Sequence, residues 1–354
     1  MQCCIISFRN IASFCGDDRI QKTIKQLSEK GIFISQIMQI SENKNAFSEA
    51  VNSCLKYNYI FILDSDKLNY SVEEELNLLS KNEMPFFYSY SNTGIFLLSK
   101  SSFLLEEYIN SAVKLINAKQ KEYYGKTVIK VFCFDKVIIE ETVEKAKKLA
   151  GNLLKIYHSS IYFDTSIEIV YNNLTPKVLI DDIIRLINKE LFEFIYSLDG
   201  KELNQCLFDI LTVRKLRLSC AESFTGGGIA KKIIEIPGAS TVFFEGITAY
   251  ANKAKVQRLN VSQTTINTYS AVSDQTAYEM ACGLLETNNC DIALATTGIA
   301  GPMSEGDKPK GLCFIAVGYN KEIEIFKYYL KGDRQEITMT AINAAMFLAI
   351  KKIK

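Results

Sequence analysis

Residues 218–233 read LSCAESFTGGGIAKKI, and Ser223 has the setting of a nucleophile. An apolar run ends near Cys220, a helix begins near Ile229, and Gly226, Gly227 and Gly228 bend the chain between them. Such a corner presents its side chain and aims helix N–H groups at whatever binds there. Ser223 stands where the serine of a nucleophile elbow would, although AESFTGGG is not GxSxG. The plainer alternative is that Ser223 or Thr225 caps the helix. A serine nucleophile needs a base, and the chain holds one histidine, His158, in a different segment. A Ser–His–Asp triad or a histidine metal site is therefore a poor fit.

A base is on offer in TAYANKAK, residues 248–255, which places Tyr250, Asn252, Lys253 and Lys255 at a strand-to-helix junction. A lysine base must be brought from a pKa of about 10.4 towards neutrality, about 4 kcal/mol of environment. Burial beside Tyr250 or another cation would supply it; a solvated basic helix face would not. A third stretch, ATTGIAGP at 295–302, ends a strand with Thr296, Thr297, Gly298 and Gly301. Its hydroxyls and accessible N–H groups suit an anion or oxyanion, and MSEGDKPKG beyond it reads as a flexible lid. The fourth is GDRQE at 332–336. Asp333 and Glu336 have the spacing of a helix capping box. Arg334 then falls in the first turn, where it is either a phosphate ligand or a plain surface arginine.

The elements that must position these groups form an α/β chain of several domains. CCIISF, the helix DDRIQKTIKQLSEKG closed by Gly31, ISQIMQI, a helix near AFSEAVNSCLKY and the strand YIFILDS give βαβ order, hence a parallel sheet. No GxGxxG or Walker loop occurs at its corners. Asp64 and Asp66 lie at a strand end, where either a turn role or residual metal binding is conceivable. Residues 126–190 read as a small α+β unit: strand TVIKVFCF, helix DKVIIEETVEKAKKLA, strand SIEIVYNN and helix VLIDDIIRLINKEL, which could run on through FEFIYSL. From 202 onward helices and strands alternate as a layered α/β domain that ends in the helix DRQEITMTAINAAMFLAIKK. Boundaries at 1–122, 123–195 and 196–354 fit this pattern. Twelve of the 18 glycines lie from residue 226 onward, which directs the search for a site to the last third.

Composition narrows the function classes. The 41 basic and 40 acidic residues leave a net charge of +1, so no nucleic-acid face is implied. No apolar run reaches the ~18–20 residues of a membrane span, and MQCCIISFRN reads as a first strand instead of a signal peptide. The ten cysteines form no CxxC pair. They read as small hydrophobes, reduced in a cytoplasm.

Taken in order, AESFTGG, IPGASTVFFEGITAYANKAK, SAVS, ATTGIAGP and KGDR resemble the C-terminal domain of the CinA family over roughly 200–354. The preceding parts resemble a molybdopterin-binding-like domain followed by a small KH-like domain. The resemblance implies a nicotinamide-nucleotide amidohydrolase, or NMN deamidase: a homodimer that uses no metal or cofactor and acts on a small nucleotide. Its nucleophile falls on Ser223, its tyrosine and lysine on Tyr250 and Lys255, and its phosphate contact on Arg334. Glu222, Thr225, Gly226 and Asn252, with Thr296, Thr297, Gly298 and Gly301, are the remaining substrate-binding candidates. N–H groups near Gly226 or Gly298 are the expected oxyanion donors. The N-terminal part lacks the glycines and most acids of the family's pyrophosphatase motifs: SFRNIASFCGDD and FILDSDKLNY stand in their places. It is expected to be catalytically dead. The competing readings are an ADP-ribose pyrophosphatase in that N-terminal part and a non-catalytic nucleotide-binding scaffold.

Overall fold

The computed structural model describes residues 2–8, 18–65, 68, 70–79, 81–84, 86–90, 92–98, 101, 104–119, 124–304 and 306–354. They divide into two compact units. One comprises residues 1–126, 150–155 and 169–180; the other comprises 127–149, 156–168 and 181–354. The stretch 123–195 contributes to both.

The first unit runs β1 (Cys3–Phe8), α1 (Asp18–Glu29), β2 (Ile34–Ile40), α2 (Lys44–Cys54), β3 (Tyr59–Leu63), α3 (Val72–Leu79), β4 (Lys81–Met84), β5 (Phe87–Tyr90), β6 (Thr93–Leu98) and α4 (Leu105–Lys119). Its sheet has the order β2-β1-β3-β6-β5-β4. The first four strands are parallel and the last two are added antiparallel. β1 and β3 are buried at every position, as strands covered on both faces must be. Asp64 Oδ1 accepts the Ser65 N–H at 2.8 Å. The other acid of that pair, Asp66, lies outside the described residues, as does the corner 9–17.

Next come β7 (Tyr124–Phe132), α5 (Lys136–Ala150), β8 (Lys155–Ile161), β9 (Asp164–Asn172), α6 (Lys177–Leu191) and β10 (Ile195–Ser197), whose strands form a sheet in the order β10-β7-β9-β8. The expectation that α6 continues through FEFIYSL is corrected here. The helix stops at Leu191, and Ile195 pairs antiparallel with Val131 of β7. β-branched and aromatic residues find a free strand edge there, and Tyr196 Oη donates to Asp164 at 2.7 Å.

The rest is α7 (Leu203–Arg214), β11 (Leu218–Glu222), α8 (Gly228–Ile234), β12 (Phe243–Thr248), α9 (Asn252–Leu259), α10 (Gln263–Tyr269), α11 (Asp274–Leu285), β13 (Ile292–Gly298), β14 (Leu312–Tyr319), β15 (Glu322–Tyr329) and α12 (Arg334–Ile353). The sheet order is β12-β11-β13-β14-β15. β12, β11 and β13 are parallel, while β14 and β15 are antiparallel. Alternation along the strands sends Leu218, Cys220, Leu294, Ile315 and Val317 into one core with residues of α7, α8 and α12. The intervening Ala221, Ala293, Ala295 and Ala316 enter a second core with residues of α9, α10 and α11. Small strand residues on that face let the helices approach closely.

That closeness makes Gly283 obligatory. A Cβ there would stand 2.1 Å from the Leu259 carbonyl oxygen at the end of α9. In an ordinary helix interior Gly→Ala stabilises by about 1 kcal/mol. Here the sign reverses, because α9 must shift to make room. Gly283→Ala is expected to cost about 1–3 kcal/mol in urea unfolding of the second unit; a gain in stability would show that α9 does not pack on α11 as described.

Candidate active site

The register of the last sheet brings the separated motifs together. Glu222 at the end of β11 lies opposite Thr248 of β12 on one side and Thr296 of β13 on the other. The ladder runs on past the strand ends: Ser223 N donates to Thr296 O at 3.0 Å and Ala249 N donates to Glu222 O at 2.8 Å. Ser223, Ala249–Tyr250 and Thr296 therefore arrive at one edge of the sheet, where parallel α/β sheets build their sites.

The corner is held by a buried carboxylate. Glu222 is fully buried. Its Oε2 accepts the N–H groups of Gly227 (3.1 Å) and Ile229 (3.0 Å), and its Oε1 accepts Ala230 N–H (2.9 Å) and the Cys220 thiol (3.5 Å). Burial, and then the charge of Glu222, push the Cys220 thiol well above its ordinary range, so it stays a protonated donor. Gly226 N–H goes to Ser223 O and Gly228 N–H to Thr225 O. The chain turns through left-handed Gly226 (φ +64°) and Gly227 (φ +93°), conformations that side chains rarely adopt.

Lys255, on the first turn of α9, is 1% exposed. Its Nζ lies 3.0 Å from Ser223 Oγ, 2.9 Å from Ala249 O and 3.1 Å from Tyr250 O. Carbonyl oxygens only accept, so two N–H bonds are committed to the backbone. The third direction of the nitrogen points at the serine. It carries an N–H in the ammonium form and a lone pair in the amine form. Ser223 itself is 8% exposed.

Two expectations change in detail. Tyr250 serves Lys255 through its backbone carbonyl, while the residue as a whole is 64% exposed. Its phenol oxygen lies 3.4 Å from Arg334 Nη2. The N–H groups expected as oxyanion donors near Gly226 or Gly298 are narrowed as well. Gly226 N–H is taken, and a Cβ on Gly298 would meet Cys313 Cβ at 2.5 Å, so that glycine is there for strand packing. Among the described residues, the N–H groups of Phe224 and Thr225 make no hydrogen bond. A donor one residue after an elbow serine is the signal that would have found Phe224.

The residues of matched motifs on this sheet show a family relationship. Residues 200–353 match the model of the CinA C-terminal domain. The chain belongs to the CinA family through this domain. It is 34% identical over 253 residues to a putative competence-damage inducible protein of Caldicellulosiruptor saccharolyticus, covering 71% of this chain and 61% of that one. It is 38% identical over 202 residues to a CinA-like protein of Fusobacterium nucleatum, covering 56% and 48%. The chain thus spans about half to three-fifths of the length of these curated relatives. The crystal structure of competence/damage inducible protein CihA from Agrobacterium tumefaciens is 36% identical, with a TM-score of 0.41 over 42% of this chain and 92% of that one.

Within the CinA domain the remaining candidates divide by position. Thr225 and Thr296, both buried, share a hydroxyl–hydroxyl hydrogen bond of 2.7 Å that ties the corner to β13. Thr297 faces the opposite side of the strand, and its hydroxyl donates to Ala271 O at 2.6 Å. Asn252 is exposed at the start of α9. Arg334 is exposed, and its Nη1 donates to Gly301 O at 2.6 Å, so it bridges the loop after β13 to Tyr250. The capping box of α12 is formed as expected: Glu336 N donates to Asp333 Oδ1 and Asp333 N to Glu336 Oε2, each at 2.8 Å. Within the stretch read as a flexible lid, Lys308 is tied down: its Nζ donates to Tyr269 O at 2.8 Å, and also to Ser270 Oγ and Val272 O.

Thr225→Val leaves the Thr296 hydroxyl buried without its partner, a cost of about 1–3 kcal/mol. Adding Thr296→Val removes the orphan, so the double variant is expected to lose less than the sum of the two single losses. Urea unfolding of all three variants measures this, and strict additivity would show that the two hydroxyls do not interact.

Proposed function

We propose that this chain is a nicotinamide-nucleotide amidohydrolase that converts nicotinamide mononucleotide and water to nicotinic acid mononucleotide and ammonia. The observation that carries the reading is the buried Lys255 Nζ, 3.0 Å from Ser223 Oγ with its other two directions committed to carbonyls. A capping serine has no need of a buried amine beside it.

In this reading neutral Lys255 takes the Ser223 proton as Oγ attacks the carboxamide carbon. The oxygen that becomes negative is received by Phe224 and Thr225 N–H, already fixed in place. Lys255 then hands its proton to the departing nitrogen, the C–N bond breaks and ammonia leaves. Water attacks the resulting ester, Lys255 accepts its proton, and Ser223 Oγ is released with a proton restored. Arg334, with a guanidinium at the rim, binds the phosphate. No step requires a metal. The same reading includes a homodimer that works in the cytoplasm on a small nucleotide, away from nucleic acid and membranes. Among the described residues no helix is long and apolar enough to cross a membrane.

Ammonia release from nicotinamide mononucleotide in the presence of EDTA is the test. Wild type is expected to turn over. Ser223→Ala and Lys255→Met are each expected to lose at least about 10³-fold in kcat, as members of one catalytic unit do. Turnover that survives Ser223→Ala would overturn the assignment, and absence of turnover in wild type would leave a binding role.

A further inference from the structure

Glu222 was expected to touch substrate, but its surroundings point elsewhere. The carboxylate is fully buried. Each oxygen already accepts two hydrogen bonds, three of the four from N–H groups at and just before the start of α8. Those are the donors that an anionic ligand would otherwise find at this corner. The N–H groups of Gly226 and Gly228 bind Ser223 O and Thr225 O. A free carboxylate buried without partners would be prohibitively costly. One that satisfies three backbone donors beside a helix start forms strong charge-assisted bonds.

We propose that Glu222 is a positioning residue: an internal anion that fills the place of a ligand anion, locks the start of α8 and thereby holds Ser223 Oγ against Lys255. The consequences are chemical as well as structural. With Gly227, Ile229 and Ala230 N–H engaged, the substrate phosphate has no donors at α8 and is left to the Arg334 side of the site. With the corner clamped, the two N–H groups without a hydrogen bond, on Phe224 and Thr225, are those that directly follow the serine. The catalytic part of this inference rests on the amidohydrolase reading; the clamp itself does not.

The test uses the full-length protein and two variants, Glu222→Gln and Glu222→Ala. Gln keeps the shape and one acceptor oxygen but turns an N–H₂ towards donors, whereas Ala removes both acceptors. Activities are taken per folded molecule, from near-UV circular dichroism at the assay temperature. A displaced catalytic group costs about 10²-fold. Glu222→Ala should therefore lose about that much kcat with KM held within about threefold, and Gln should recover part of the loss. Hydrogen exchange of the segment 226–234 should be slow in wild type and faster in both variants. A rise in KM with kcat unchanged would overturn the proposal by making Glu222 a substrate contact. Unchanged kcat and KM per folded molecule would reduce it to a stabilising group and also overturn it. If wild type shows no turnover, the amidohydrolase reading has failed separately and exchange alone decides. Accelerated exchange in Gln supports the clamp, and unchanged exchange overturns it. Should neither variant fold, fast exchange at Gly227, Ile229 and Ala230 in wild type would overturn it, and slow exchange would support it.

Discussion

The site depends on one buried nitrogen. A lysine amine almost wholly removed from water is tolerable only if its hydrogens have acceptors, and Lys255 finds them in Ala249 O, Tyr250 O and Ser223 Oγ. Two of the three are backbone atoms at the exit of β12, so the geometry is set by the path of the chain and not by a rotamer. The third is the hydroxyl of the serine. Whatever the protein does with Ser223, it does beside this amine.

The remaining structure serves that contact from three sides. The parallel strands β12, β11 and β13 end in register, which brings residues about 25 and 75 positions apart to one edge. Alanines on one face of the strands and Gly283 in α11 let α9 settle close enough for its lysine to reach the serine. On the other face Glu222 fills the start of α8 and keeps the glycine corner from relaxing. These constraints are of different kinds: register, close packing and a buried charge. A change in any one of them moves the same two atoms.

Most of this edge was legible in the sequence because its signals are local. Ser223 on a glycine corner, Lys255 at a strand-to-helix junction, and the Asp333–Glu336 capping box each declare themselves within a few residues. What was not legible depends on distance in space. No local pattern tells that the Glu222 carboxylate turns inward, or that Tyr250 contributes a carbonyl while its phenol faces Arg334. β8 was missed because six of its seven positions are exposed, which leaves no alternation to read. β10 was hidden because FEFIYSL follows directly on a helix, and only the free edge of β7 draws it into a strand. Lys308 looked like part of a loose loop until its acceptors at the end of α10 came into view.

Trapping the covalent intermediate tests the central claim most directly. The full-length protein is mixed with nicotinamide mononucleotide, quenched in acid along a single-turnover time course, and digested for peptide mass mapping. The account predicts one transient adduct of the nucleotide's acyl group on the peptide that carries Ser223, rising and falling as ammonia and product appear. Product formation with that peptide unmodified throughout, or with the adduct on another residue, would contradict it.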